Sequence, residues 1–166
     1  MPPEAGAAAP AADAKPVPTQ PRLCFGVALG GVNVLLPAGV ITEFVAQAPI
    51  YPVPRAPTRL LGLMQVRGHP VPVFDAAPQA SDDWPALGRH DVLLIGTGAE
   101  AGAVAVDAPP RAISPLPVAA PGDAPECCFG DALTDPHVDP AEPGLTWWLL
   151  APRRLFEVLS TPADAP

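Results

Sequence analysis

Residues 62–75 read Gly62-Leu63-Met64-Gln65-Val66-Arg67-Gly68-His69-Pro70-Val71-Pro72-Val73-Phe74-Asp75. Apolar residues are spaced through this stretch on both sides of Arg67-Gly68, which predicts two short strands running into and out of a turn. Pro70 and Pro72 have no amide hydrogen to give to a strand ladder. The second strand is therefore expected at a sheet edge, or to begin there with its amides facing out. Arg67 is the odd residue of the set, because it interrupts an apolar run just before a glycine. A solvated turn arginine needs no function, whereas a guanidinium displayed at a strand end offers the rigid donor fork that is enriched at interface hot spots.

The same texture continues outward. Upstream, RLCFGVAL and VNVLLPA flank Gly30-Gly31, and paired glycines supply the positive φ of a tight hairpin turn. Val40 to Ala46 (VITEFVA) is β-branched and apolar and predicts a third strand, after which APIYPVPRAPT reads as a proline-punctuated crossing loop. Downstream, Ala76 to His90 is a polar loop, and DVLLIGTGAEAGAVAVD is a strand, a glycine-rich turn and a strand ending at Asp107. Proline and acid dominate Pro109 to about Pro143, a stretch that is hard to read. LTWWLL is a strand, and its paired tryptophans face opposite ways, so one ring is expected in the core while Trp148 is partly exposed and available to an interface. Pro152 suits the first turn of a short helix whose Leu155, Val158 and Leu159 share a face. Many short, turn-punctuated strands predict an all-β fold, a small barrel or a pair of barrels, followed by a short helix.

Length and composition set the bounds. At 166 residues the chain is the size of one domain. Its 27 prolines and 14 glycines make up about a quarter of it, a level at which disorder competes with folding. A hydrophobic content of 49% with 16% charged residues nevertheless supplies enough apolar surface to offset the entropy of ordering a core. The exception is 1–21, almost all Ala, Pro and small polar residues, which is expected to be a disordered arm, with 22–160 as the folded domain and 161–166 as a disordered tail. A formal charge of −8 argues against nucleic acid and anionic membrane as partners. An odd count of 3 cysteines, two of them adjacent, gives no disulfide framework. With no secretory leader and no apolar run of spanning length, the expectation is a cytoplasmic protein without membrane insertion.

No catalytic residue, metal site or cofactor emerges. Gly96-Thr97-Gly98 follows an apolar strand, but Gly102 falls one residue late for a dinucleotide fingerprint and AVAVD reads as a strand where that motif needs a helix. Adjacent Cys127 and Cys128 lack the two-residue gap that turns two sulfurs toward one metal. His69, His90 and His137 stand apart as turn or surface residues. Ser81, Ser114 and Ser160 sit in apparent loops without a nucleophile elbow. A ligand-binding or enzymatic barrel using the 96–102 turn or the two thiols is the alternative to an interaction module.

The stretch 62–75, with its Arg-Gly turn leading into a V-P-V-x-D strand, resembles the central signature of CheW-like domains, the adaptors of bacterial chemotaxis arrays. FGVALGGVNVLLPAGVITEFV is similar to the family's opening hairpin and its strand with an acidic position, here Glu43. PIYPVPRAPTRLLGL and VLLIGTGAEAGAVAVD resemble the connection and hairpin on either side. This resemblance, from Leu23 to Leu159, implies two small five-stranded, SH3-like β-barrels sharing a core. It implies a non-catalytic adaptor that holds the regulatory domain of a sensor histidine kinase against a chemoreceptor's cytoplasmic tip, in a chemotaxis-like or type IV pilus motility signalling system. Arg67 and Glu43 match partner-contact positions, Gly62 and Gly68 match backbone positions shaping the same surface, and Asp75, which closes the signature, is expected to contact a partner with them. A specialised regulator of another signalling partner is the variant reading. Pro109 and Pro110 depart from the family pattern and are expected to shorten or bulge the strand after Asp107.

Overall fold

The computed structural model describes residues 23–77, 88–118 and 122–161. The expected arm and tail beyond Thr161, the 78–87 part of the polar loop and Ser81 lie outside the described residues.

The architecture is all-β with one helix. Strands β1 (Cys24–Leu29) and β2 (Val32–Leu35) form the opening hairpin. Then follow β3 (Thr42–Ile50), β4 (Leu60–Val66), β5 (His69–Phe74), β6 (Gly88–Ile95) and β7 (Gly102–Ala105). The chain returns through β8 (Arg111–Ile113), β9 (Leu116–Pro117), β10 (Leu133–Asp139) and β11 (Glu142–Leu150), and ends in helix α1 (Pro152–Ser160). Two sheets result, one in the order β8-β1-β2-β11-β10-β9 and one in the order β3-β6-β7-β5-β4.

Each sheet closes on itself. In the first, β8 pairs with β1 and β9 pairs with β10, yet β8 and β9 are separated only by Ser114-Pro115. They act as one kinked strand joining the two ends of the sheet, and on that count barrel 1 has five strands, as expected. In barrel 2 the chain beyond β3 closes the ring. Tyr51 and Leu63 exchange backbone hydrogen bonds of 2.9 and 2.8 Å, which links the edge strands β3 and β4.

Strand alternation explains the core. In β6, Val92 and Leu94 fill the interior of barrel 2, where Ile50, Met64, Val71 and Val73 meet them. Leu93 and Ile95 point the other way, into an apolar layer shared with Val27, Leu29 and Val34 of barrel 1 and with Leu155 and Leu159 of α1. Period-2 side-chain direction thus buries both faces of the same strand. The interior of barrel 1 is smaller and centres on Trp147, with Leu35 and Ile113. Pro152 stands in the first turn of α1 as expected, and Leu155 and Leu159 are buried while Val158 is half-buried.

Four details differ from the sequence expectation. β3 does not stop at Ala46. It bulges at Gln47, whose backbone N–H and side-chain amide both donate to Asp91 Oδ1 at 2.8 and 3.0 Å, and continues through Ala48-Pro49-Ile50. β5 lies between β4 and β7 in sheet order and is not an edge strand. It pairs with β7 only at Val73 and Phe74, so Pro70 and Pro72 occupy the half that has β4 alone beside it. β6 already begins at Gly88, within the expected loop; His69 and His90 are exposed, as expected of surface residues, though both lie in strands. Finally β9 and β10 emerge from the stretch that was hard to read. As expected, the strand after Asp107 is short, only three residues.

Candidate functional site

Arg67 and Gly68 have φ of +48° and +85°, the paired left-handed geometry of a tight β4–β5 hairpin turn. The turn pushes the arginine side chain out to 75% exposure, and Nη2 donates to Glu43 Oε2 at 2.9 Å. Glu43 comes from β3, the strand that barrel closure brings beside β4. Three sequence-predicted residues, Glu43, Arg67 and Gly68, therefore meet at one end of barrel 2.

The other predicted residues lie elsewhere. Gly62 is buried, and with φ at +150° its hydrogens face the Tyr51 carbonyl. A Cβ there would stand 2.2 Å from that oxygen. The absence of a Cβ there lets the barrel close. Asp75 lies at the far end of β5, roughly 20 Å along the strand from Arg67 at about 3.3 Å per residue. Its Oδ1 accepts the Ala77 N–H at 2.9 Å, so it fixes the strand's exit. Trp148 belongs to barrel 1, where it is half-buried against the shared layer, while Trp147 is the fully buried ring.

Ile41, two residues before Glu43, is 63% exposed. It lines an open groove of about 830 Å³ between barrel 2 and α1, together with Val40, Phe74, Ala101, Pro152 and Phe156. Sequence reasoning missed Ile41 as a surface residue. Parity gives no signal for it, because Val45 shares the face of Glu43 and still packs against the barrel 2 interior; Ile41 is exposed because it precedes the first residue of β3, Thr42. The Glu43–Arg67 pair thus adjoins an apolar groove, an arrangement of polar rim and apolar floor found at protein interfaces.

Cys127 and Cys128 are not joined in a disulfide. Burial pushes both thiols above their ordinary value, with Arg59 pulling weakly the other way. Thiols raised in this way are poor nucleophiles at neutral pH. Among the described residues no group of three or more His, Cys, Asp or Glu comes together in a way that could hold a metal. The Gly96–Gly102 connection holds a three-residue 3-10 turn at Gly98–Glu100 between antiparallel β6 and β7, as a hairpin connection should. No helix of the described residues is long and apolar enough to cross a membrane.

No curated protein sequence matches the chain. Among solved structures the fold is similar to that of the scaffolding protein TtCheW from Thermoanaerobacter tengcongensis. The TM-score is 0.62 at 16% identity, over 91% of this chain and 96% of that one. The CheW-like domain family model matches residues 23–114, more than half of the sequence. Two closed barrels on a shared core and the Arg67 turn signature thus agree with sequence comparison, and the chain belongs to the CheW-like domain family.

Proposed function

We propose that this protein is a non-catalytic adaptor that docks a chemoreceptor's cytoplasmic tip and the regulatory domain of a sensor histidine kinase. In this reading the Glu43–Arg67 end of barrel 2 is a partner surface. Family membership and the resemblance of the fold to a scaffolding protein support it. The observation that carries it is the conformation of Arg67. A left-handed backbone costs a non-glycine residue roughly 1–2 kcal/mol, and the exposed ion pair returns at most about 1 kcal/mol. Asparagine or glycine at this turn position would relieve the strain. An arginine held there against its backbone preference is accounted for by what it contacts outside the chain. Its place beside an exposed Ile41 and an apolar groove is that of a hot-spot residue at an interface rim.

The test is binding of the purified chain, wild type and Arg67→Glu, to a receptor tip fragment and to a kinase regulatory domain. The charge reversal is expected to weaken at least one of the two by tenfold or more, about 1.4 kcal/mol. Unchanged affinity for both would remove this end of the barrel from the reading.

A further inference from the structure

We infer that the Gly30-Gly31 turn is a clasp that fixes the angle between the two barrels. The turn belongs to the β1–β2 hairpin of barrel 1, but its tip rests on barrel 2. Gly30 has φ at +51°, and a Cβ on it would lie 2.0 Å from the carbonyl oxygen of Ala76, just past the end of β5. Only a glycine allows this backbone-on-backbone approach. The surface beneath it is held firmly. Arg59 Nη1 donates to the carbonyls of Asp75 and Ala77 at 3.2 and 2.8 Å. Cys128 Sγ lies 3.6 Å from the Ala76 oxygen.

A second strap acts on the neighbouring residue. The Gly31 N–H donates to Asp107 Oδ2 at 2.7 Å. Asp107 stands where the chain passes from one barrel to the other. The N–H of Val106 bonds the Asp91 carbonyl in barrel 2 at 2.9 Å, and that of Asp107 bonds the Ala28 carbonyl in barrel 1 at 3.0 Å. The crossing segment and the hairpin tip are thus tied at one point.

The clasp adds directional contacts to the shared apolar layer. Interdigitated side chains already resist sliding, but apolar attraction itself is non-directional and roughly proportional to area. Hydrogen bonds have preferred lengths and angles, and a backbone wedge has no freedom to slide. The clasp therefore sets orientation where the core sets adhesion. It holds the Glu43–Arg67 end of barrel 2 in a constant position relative to barrel 1, and this holds whichever partner that surface takes.

Gly30 and Gly31 form a matched pair for testing this. Both have positive φ, but a Cβ on Gly31 meets nothing within 4 Å. Gly31→Ala carries the backbone strain alone, and Gly30→Ala adds the collision. Residual dipolar couplings of the wild type are expected to fit one alignment frame for both barrels. Gly31→Ala should keep that frame. Gly30→Ala should keep the couplings within each barrel while requiring a second frame between them. A single wild-type frame in Gly30→Ala, or an equal reorientation in both variants, would overturn the clasp. Amide exchange in the folded wild type and in Asp107→Ala gives a readout that does not need Gly30→Ala to fold. The Gly31 amide should be protected in the wild type and exchange about threefold to tenfold faster in Asp107→Ala, as loss of one hydrogen bond implies. Asp107→Asn, which keeps an acceptor oxygen, should restore protection. An unprotected wild-type Gly31 amide would equally refute the claim.

Discussion

The two barrels solve closure in different ways. Barrel 2 is one contiguous stretch, β3 to β7, with an interior of small and branched aliphatic side chains and one methionine. A glycine bulge lets its edges meet at Tyr51 and Leu63. Barrel 1 is assembled from the two ends of the fold, closes through a strand kinked at Ser114-Pro115, and is filled mainly by the single large ring of Trp147. Each barrel also has an arginine–glutamate pair between separate strands. In barrel 1, Arg111 pairs with Glu142 and lies over the Trp147 ring at 5.0 Å, so its cation is occupied within the fold. In barrel 2, Arg67 has Glu43 for a partner and leaves most of its side chain exposed. One barrel uses its arginine for holding together, the other displays it.

That contrast predicts where damage is greatest. Trp147→Ala removes the side chain around which barrel 1 is built and should cost about 3–5 kcal/mol, as large core truncations do. Gly62→Ala attacks barrel 2 at its closure. The new methyl meets a carbonyl that is itself bonded across the seam, so a cost of roughly 2–3 kcal/mol is expected from strain and overpacking together. Urea unfolding of both variants measures this, and both should still unfold in one transition, because the shared layer joins the barrels. Separate transitions would show that each barrel is a unit of its own. A loss below about 1 kcal/mol for Trp147→Ala, well under the usual cost of such a truncation, would remove the contrast.

The same division governs what the sequence revealed. β4 to β7 were legible because Val71, Val73, Val92 and Leu94 alternate with residues facing the shared layer, and because Gly68 and Gly96 punctuate the turns. β10 was not. Its sequence LTDPHVD holds only two aliphatic residues, and the ladder is broken by a bulge around Asp135, whose φ is +34°. It forms because Phe129, Ala132 and Leu133 anchor its start in the shared layer, a tertiary cause that no local pattern carries. β3 was cut short at Gln47 because the bulge there depends on Asp91, 44 residues away. At the site, Arg67, Gly68 and Glu43 could be read from turn chemistry and resemblance. Gly62 and Asp75 belonged to the same signature but serve barrel closure and strand exit. The part of Asp107 in tying the barrels together depends on a contact 76 residues apart.

The junction between the barrels offers a milder probe. Burial holds the thiols of Cys127 and Cys128 above their ordinary value of 9.0. The unfolded chain therefore loses these protons first, and stability is complete below that value and declines as pH rises through it toward the folded value. Glu142 acts in the opposite direction. Its hydrogen bond from Arg111 lowers its pKa, so its contribution is lost on acidification below the usual carboxylate range. Replacing both cysteines with alanine should flatten the alkaline decline of the unfolding midpoint and leave the acid limb unchanged. A decline as steep as in the wild type would mean that the thiols do not sense the fold.

The smallest change in stability separates the two arginines most sharply. Arg67→Asn places at the turn a residue that tolerates the left-handed region, and the ion pair it removes is exposed and worth little. Relief of the strain offsets loss of the pair, so stability should equal that of the wild type or rise, by no more than about 1 kcal/mol. Arg111→Ala removes a contact with a buried ring as well as an ion pair, and should lower the unfolding midpoint measurably. Partner affinity should reverse the order, with Arg67→Asn weakening docking and Arg111→Ala leaving it intact. Measuring both quantities on both variants makes the comparison strict. If the two substitutions affected stability and binding in the same proportion, Arg67 would be one more structural arginine, and the strain in its backbone would have no return outside the chain.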